Sequence, residues 1–151
     1  MTNNDVLRRI RYTFDISDSK MMATFALAGS EVTREQISAW LKQDDDEAYQ
    51  DCSDTQLAIF LDGFIIDKRG KKDGPQPEPV EFLTNNNVLR KLKIALTLQS
   101  EDMLAIMTLA GFPISKHELS AFFRKPDHKH YRDCKDQILR NFLKGMQLKY
   151  R

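Results

Sequence analysis

Cysteine is scarce in this 151-residue chain, with only Cys52 and Cys134, too few for the disulfide frame on which small secreted domains rely. Long hydrophobic runs are absent. No stretch approaches the roughly 20 apolar residues of a membrane span, so no membrane partner is expected. After Met1 the chain begins TNNDVLRR, without a charged-then-apolar leader or an amphipathic transit segment, and the expected location is cytoplasmic. A P-loop, a dinucleotide fingerprint, a metalloprotease helix and a nucleophile elbow are missing as well. These absences give the expectation of a protein that is not an enzyme and carries no cofactor.

What the chain does have is one unit written twice. Residues 2–69 align with residues 84–151 at a constant offset of 82 without a gap, and 23 of the 68 pairs are identical. Thr2, Asn3 and Asn4 return as Thr84, Asn85 and Asn86; Val6, Leu7 and Arg8 return as Val88, Leu89 and Arg90. Leu27, Ala28 and Gly29 recur as Leu109, Ala110 and Gly111, and the string Y-x-D-C-x-D occurs at 49–54 and 131–136. A copy of this length is marginal on its own. The expected architecture is therefore all-α: two tandem four-helix units, 1–69 and 84–151, packed together in a pseudo-twofold arrangement. Between them lies a Pro/Gly linker, 70–83, whose PxPxP spacing favours an extended, polyproline-like path.

Each copy reads as four helices. The first follows an expected Asn cap at Asn4 or Asn86 and carries one apolar stripe, Val6, Leu7, Ile10 and Phe14 or Val88, Leu89, Leu92 and Leu96. Asp18 or Ser100 opens the second, and Gly29 or Gly111 stops it in the left-handed conformation. The third starts with a capping box, Thr33 to Gln36 or Ser115 to Glu118, and buries Ile37, Trp40 and Leu41 or Leu119, Phe122 and Phe123. The fourth is expected over about 53–62 and 135–144. There the Asp residues of Y-x-D-C-x-D would cap it, and Gly63 and Gly145 would either end it or allow a close helix contact.

Charge separates the copies. Residues 1–69 hold 8 Lys and Arg against 13 Asp and Glu, a net −5, whereas residues 84–151 hold 13 against 6, a net +7. Either the copies attract each other or the second meets an anionic partner. The basic residues of the first helix persist in both copies: Arg8, Arg9 and Arg11 are answered by Arg90, Lys91 and Lys93. They imply either a paired network with Asp51 and Asp54, or Asp133 and Asp136, or an anion-binding edge present twice. The second and third helices also resemble a DNA-binding helix-turn-helix, although two extra residues follow the Gly. On that reading Lys116, His117, Ser120 and Arg124 would share one face by i, i+4, i+8 spacing and touch phosphates. The first copy offers Arg34, Glu35, Ser38 and Lys42 with an acidic run beyond, so any nucleic-acid contact is expected on the second copy alone.

The retained Cys is expected to be packed, because neighbouring acids raise a thiol pKa and no His recurs beside it in both copies. His128, His130 and Cys134 have partial zinc-ligand spacing, but neither a fourth ligand nor a counterpart in the first copy, which has Asp46, Ala48 and Cys52. No metal site is expected. The motifs N-N-x-V-L-R, L-A-G and Y-x-D-C-x-D, each present twice, resemble the YehS-like family of small bacterial proteins built from a tandem domain of unknown function. That resemblance implies a bacterial cytosolic protein and carries over no functional residues. The functional expectation is a non-catalytic interaction module that self-associates or recruits a protein partner, with nucleic-acid binding by the basic second copy as the alternative.

Overall fold

Eight helices carry the described residues, in two sets of four with matching order. The computed structural model describes residues 1–74 and 80–151, and among these there is no strand. The chain divides into two units, Met1–Leu83 and Thr84–Arg151. The first contains α1 (Asn3–Thr13), α2 (Asp18–Leu27), α3 (Arg34–Leu41) and α4 (Asp54–Arg69); the second contains α5 (Asn85–Ala95), α6 (Ser100–Leu109), α7 (Lys116–Ala121) and α8 (Asp136–Tyr150).

The helix starts follow from short polar side chains. Thr2, and not Asn4, caps α1: its hydroxyl accepts from Asp5 N at 3.1 Å while the Asp5 carboxylate accepts from Thr2 N at 2.9 Å. Burial alone would raise the Asp5 carboxyl, but its bonds with Thr2 and Arg8 outweigh that and hold it below its ordinary range. Thr84 caps α5, its hydroxyl accepting from Asn87 N at 3.1 Å. Thr33 and Ser115 form the expected capping boxes. Ser53 and Lys135 occupy the cap positions of α4 and α8, so the Asp residues expected there are the first helical residues instead.

The helix stops are equally local. At Gly29 (φ 86°) and Gly111 (φ 76°) the chain turns left-handed. The amide two residues past each cap reaches back, Ser30 N to Phe25 O at 3.1 Å and Phe112 N to Met107 O at 3.0 Å, which closes a Schellman motif. Asp15 (φ 51°) and Thr97 (φ 53°) end α1 and α5 in the same way without glycine, with Ile16 N bonded to Arg11 O and Leu98 N to Lys93 O, both at 3.0 Å. The left-handed turn therefore carries a strain at these two sites that glycine would not.

In unit 1 the core is built on Phe25, whose ring lies 5.5 Å from Trp40 and 5.4 Å from Phe60, with Leu7, Ile10, Met21 and Ile37 fully buried around it. Met107 and Phe122 take the places of Phe25 and Trp40 in unit 2, beside buried Leu92, Met103, Leu139 and Phe142. Removing one such large side chain from water contributes about 1.5–3 kcal/mol. The longest helix of each unit packs chiefly on the second one, α4 on α2 and α8 on α6.

Helix 4 does not end at its glycine. It continues to Arg69 in unit 1 and to Tyr150 in unit 2, because Gly63 and Gly145 serve as contact points. A Cβ on Gly63 would stand 1.9 Å from the Thr24 carbonyl oxygen, and one on Gly145 would stand 2.1 Å from that of Ile106. The end of the expected linker is also tied down. Thr55 Oγ1 donates to Val80 O and Leu83 N donates to Asp54 Oδ2, each at 2.9 Å, so this stretch belongs to unit 1. The PxPxP segment, residues 75–79, lies outside the described residues.

Candidate functional site

The second residue of each helix-opening pair, Asn4 or Asn86, is a buried clamp. Asn86 Nδ2 donates to Phe122 O at 3.0 Å and to Arg132 O at 2.9 Å, and its Oδ1 accepts from Cys134 N at 2.9 Å. Asn4 repeats the pattern with Trp40 O, Gln50 O and Cys52 N at 3.0, 2.8 and 3.0 Å. One amide thus satisfies three main-chain groups that have no helical partner. The preceding Asn adds two more bonds. Asn85 donates to Cys134 O at 2.9 Å and to Asp136 Oδ1 at 2.8 Å, and Asn3 donates to Cys52 O at 3.0 Å and to Asp54 Oδ1 at 2.7 Å. The Asn85 bond is the first reason that the Asp136 carboxyl sits below its usual range.

These bonds account for Y-x-D-C-x-D. Its Cys backbone is held by both asparagines, and its thiol is buried. Desolvation, and then the charge of Asp54 or Asp136, pushes Cys52 and Cys134 each up to about 12. Tyr49 Oη donates to Asp51 at 2.8 Å, which raises its pKa; Tyr131 is raised by burial first and by the neighbouring Asp133 carboxylate second. Two of the basic helix-1 residues have partners other than these carboxylates. Arg8 pairs with Asp5 in its own helix and donates to Lys42 O at 2.6 Å, and Arg90 donates to Phe123 O at 3.0 Å. Arg9 and Arg11 are half-buried on α1.

In unit 2 the clamp positions a cleft. Asn86 and a main-chain bond from Arg132 N to Ala121 O, 3.2 Å, hold the segment 129–132 beside α7. The space between has a volume of about 560 Å³; α7 contributes His117, Glu118 and Ala121, and the facing segment contributes Lys129, His130, Tyr131 and Arg132. The turn leading into that segment is fixed by His128, whose Nδ1 accepts from His130 N at 3.0 Å. Asp46 Oδ1 does this for Ala48 N, 2.8 Å, in unit 1. The Cys134 thiol is directed toward Lys135 O at 3.8 Å. Among the described residues no group of three His, Cys, Asp or Glu side chains is arranged to hold a metal ion.

The other sequence candidates fall into two groups. Arg90 and Lys93 flank one ring, their cationic ends 5.6 and 5.3 Å from the centre of Phe123, with Lys91 half-buried between them on α5. Lys116, His117 and Ser120 are exposed on α7; Lys116 lies 3.9 Å from Glu101, and Ser120 Oγ donates to His117 O at 3.0 Å. Arg124 does not join them by helical spacing, because α7 stops at Ala121, where i to i+3 bonds from Phe122 and Phe123 tighten the last turn. The helix-turn-helix resemblance also weakens: six residues, 28–33, separate α2 from α3, against three or four in the DNA-binding motif.

Sequence reading missed Lys129, His130 and Arg132 as site residues. Comparison of the copies held the signal, for these positions are Glu47, Ala48 and Gln50 in unit 1, and His117 is Glu35. The main-chain frame is common to both units while its charge is inverted.

The two units coincide with the two matches of a single family model. That model, described as Protein of unknown function (DUF1456), matches residues 3–70 and again 85–151. The chain belongs to this family. It is also similar to "Uncharacterized protein YehS" of Escherichia coli (strain K12), with 44% identity over 147 residues, which covers 97% of this chain and 94% of that protein. No solved structure matches the chain. The DUF1456 matches begin at the first residues of α1 and α5, so each match covers one four-helix unit of this chain. Among the described residues no helix is long and apolar enough to cross a membrane.

Proposed function

We propose that this DUF1456 chain is a non-catalytic interaction module in which the basic second unit engages an anionic partner and the acidic first unit presents the opposite sign. The observation that carries this reading is the charge inversion at one frame: Glu35, Glu47 and Gln50 in unit 1 against His117, Lys129 and Arg132 in unit 2. A difference that leaves the asparagine clamp unchanged acts on what the surface meets. The non-catalytic reading is supported by the engagement of the retained polar residues, Asn3, Asn4, Asp54 and their counterparts, in main-chain and side-chain bonds. Free, buried thiols at both cysteines fit a reducing, cytoplasmic setting.

A second reading, nucleic acid as the anionic partner, is favoured by Arg90 and Lys93 beside Phe123, since cations around an aromatic ring suit phosphates with adjacent bases. Anisotropy titrations of labelled polyglutamate, duplex and single-stranded oligonucleotide at several salt concentrations test both. The expected result is binding tighter than about 10⁻⁵ M at low salt, falling steeply as salt rises, and weakened in Lys116→Glu with Arg124→Glu. Preference for polyglutamate assigns a protein partner and preference for an oligonucleotide assigns nucleic acid. No binding to any of them at low salt removes the proposal.

A further inference from the structure

We infer that the cleft between α7 and residues 129–132 is a binding site for a nucleotide, its phosphate held by Lys129 and Arg132 and its base set against Tyr131. The inference rests on the reading of unit 2 as the anion-binding half and names the ligand of one site within it. Three features of the cleft select this chemistry.

Its charge is the first. Lys129 and Arg132 are exposed cations on one wall, and His117 and His130 add two imidazoles with ring nitrogens able to donate. The single carboxylate, Glu118, reaches back to its own helix start, where its Oε1 accepts from Ser115 N at 3.2 Å, and the two cations outnumber it. An anion entering here meets donors from both walls. At the matching positions of unit 1 it would meet Glu35 and Glu47 and no cation.

Size and shape are the second feature. A volume of about 560 Å³ lies within the roughly 300–1,000 Å³ of small-ligand pockets, more than an inorganic anion fills and enough for a phosphate with a sugar and a ring. The third feature is Tyr131. It is half-buried in the cleft lining, where an aromatic ring is available to a ligand that enters. Base stacking on an aromatic side chain is how single strands and nucleotides are gripped without sequence preference. The phosphate-plus-base chemistry is the same in a mononucleotide and at the end of a single strand.

The duplication supplies the test. In the full chain, His117→Glu, Lys129→Glu, His130→Ala and Arg132→Gln together install residues that unit 1 already carries on the same frame, so the fold is retained, as a thermal melt checks. Calorimetry at low salt compares AMP, ribose 5-phosphate and inorganic phosphate, and anisotropy follows a labelled, 5′-phosphorylated single-stranded oligothymidine. The expected order is AMP tighter than ribose 5-phosphate, and that tighter than phosphate. The fourfold variant is expected to lose at least about 100-fold in AMP affinity, since two charge-assisted contacts go. Glu35→His, Glu47→Lys, Ala48→His and Gln50→Arg, added to that variant, are expected to restore a site in unit 1.

An oligothymidine bound at least about tenfold tighter than AMP marks a strand end as the source, and comparable affinities mark the free nucleotide; either supports the site. Equal affinity for all three small anions overturns the nucleotide assignment, as does a fourfold variant that binds AMP like the parent. If AMP fails to bind while polyglutamate or duplex still binds and is lost on reversal of Lys116 and Arg124, this inference falls and the interaction-module reading stands.

Discussion

Asn86 Oδ1 accepts from Cys134 N at 2.9 Å across 48 residues of sequence, and this bond, with the two donated by the same amide, fixes the loop over α7. Replacing Asn86 by Ala leaves Phe122 O and Cys134 N buried without that partner and frees the part-buried Arg132 O. With about 1–3 kcal/mol lost per unsatisfied group, urea unfolding of Asn86→Ala is expected to show at least about 3 kcal/mol of destabilisation, and Asn4→Ala the same in unit 1. Asn141→Ala, which removes one exposed bond to Gln137 O, is expected to cost under about 0.5 kcal/mol. Equal effects at the two kinds of site would show that the clamp does not hold the loop.

Gly63 and Gly145 are expected to refuse even a methyl group. The atoms they would strike, the Thr24 and Ile106 carbonyl oxygens, belong to helix backbone and cannot turn aside. Gly63→Ala and Gly145→Ala should each cost about 3 kcal/mol or more, whereas Gly29→Ala, with open space around its Cβ but φ at +86°, should cost about 1–2 kcal/mol. Chemical denaturation of the three variants gives the ranking, and the reverse ranking would contradict the close helix contact.

Thr97 sits at φ 53°, a conformation that a β-branched residue adopts only under strain. Thr97→Gly relieves it while adding freedom to the unfolded chain. The net expectation is a gain of about 0.5–1 kcal/mol, seen as a higher melting temperature. A loss in stability would indicate that the threonine side chain makes a contact worth more than the strain.

The two thiols give the protein an alkaline limit. Each has a folded pKa of about 12 against an ordinary 9.0, so the folded chain holds protons that the unfolded chain releases. The associated stability is complete below pH 9 and declines as pH climbs from 9 toward 12, by up to about 1.4 kcal/mol per pH unit for each thiol. Denaturation curves across that range should show the fall, reduced in Cys52→Ala and Cys134→Ala. At pH 8 both thiols should resist a thiol reagent until denaturant is added; rapid labelling of the native protein would contradict their burial.

What could be read in the sequence was what acts over a few residues. Thr33–Gln36, Ser115–Glu118, Gly29 and Gly111 announce helix ends because the bonds they make are local. Asn4 and Asn86 were misassigned as caps because their partners lie 36–48 residues away, and the Thr two positions earlier already supplies the cap. Gly63 and Gly145 pointed equally to termination and to close packing, a choice that only the neighbouring helix decides. Of the cleft, His117 was among the expected site residues. Lys129, His130 and Arg132 were not, because they share no helical period with it and meet α7 only through an irregular turn.

The bonds that shape the cleft come from Asn86 and from the peptide groups of Arg132 and Ala121; in unit 1 they come from Asn4 and the peptide groups of Gln50 and Ala39. No bond of that set uses the side chains that line the space. After a duplication, such a frame allows one copy to exchange the side chains that line the space while folding as before, so surface chemistry and foldability are free to evolve on separate residues. The two halves of this chain share one main-chain frame with two sets of side chains upon it, and further changes there leave the core of either half untouched.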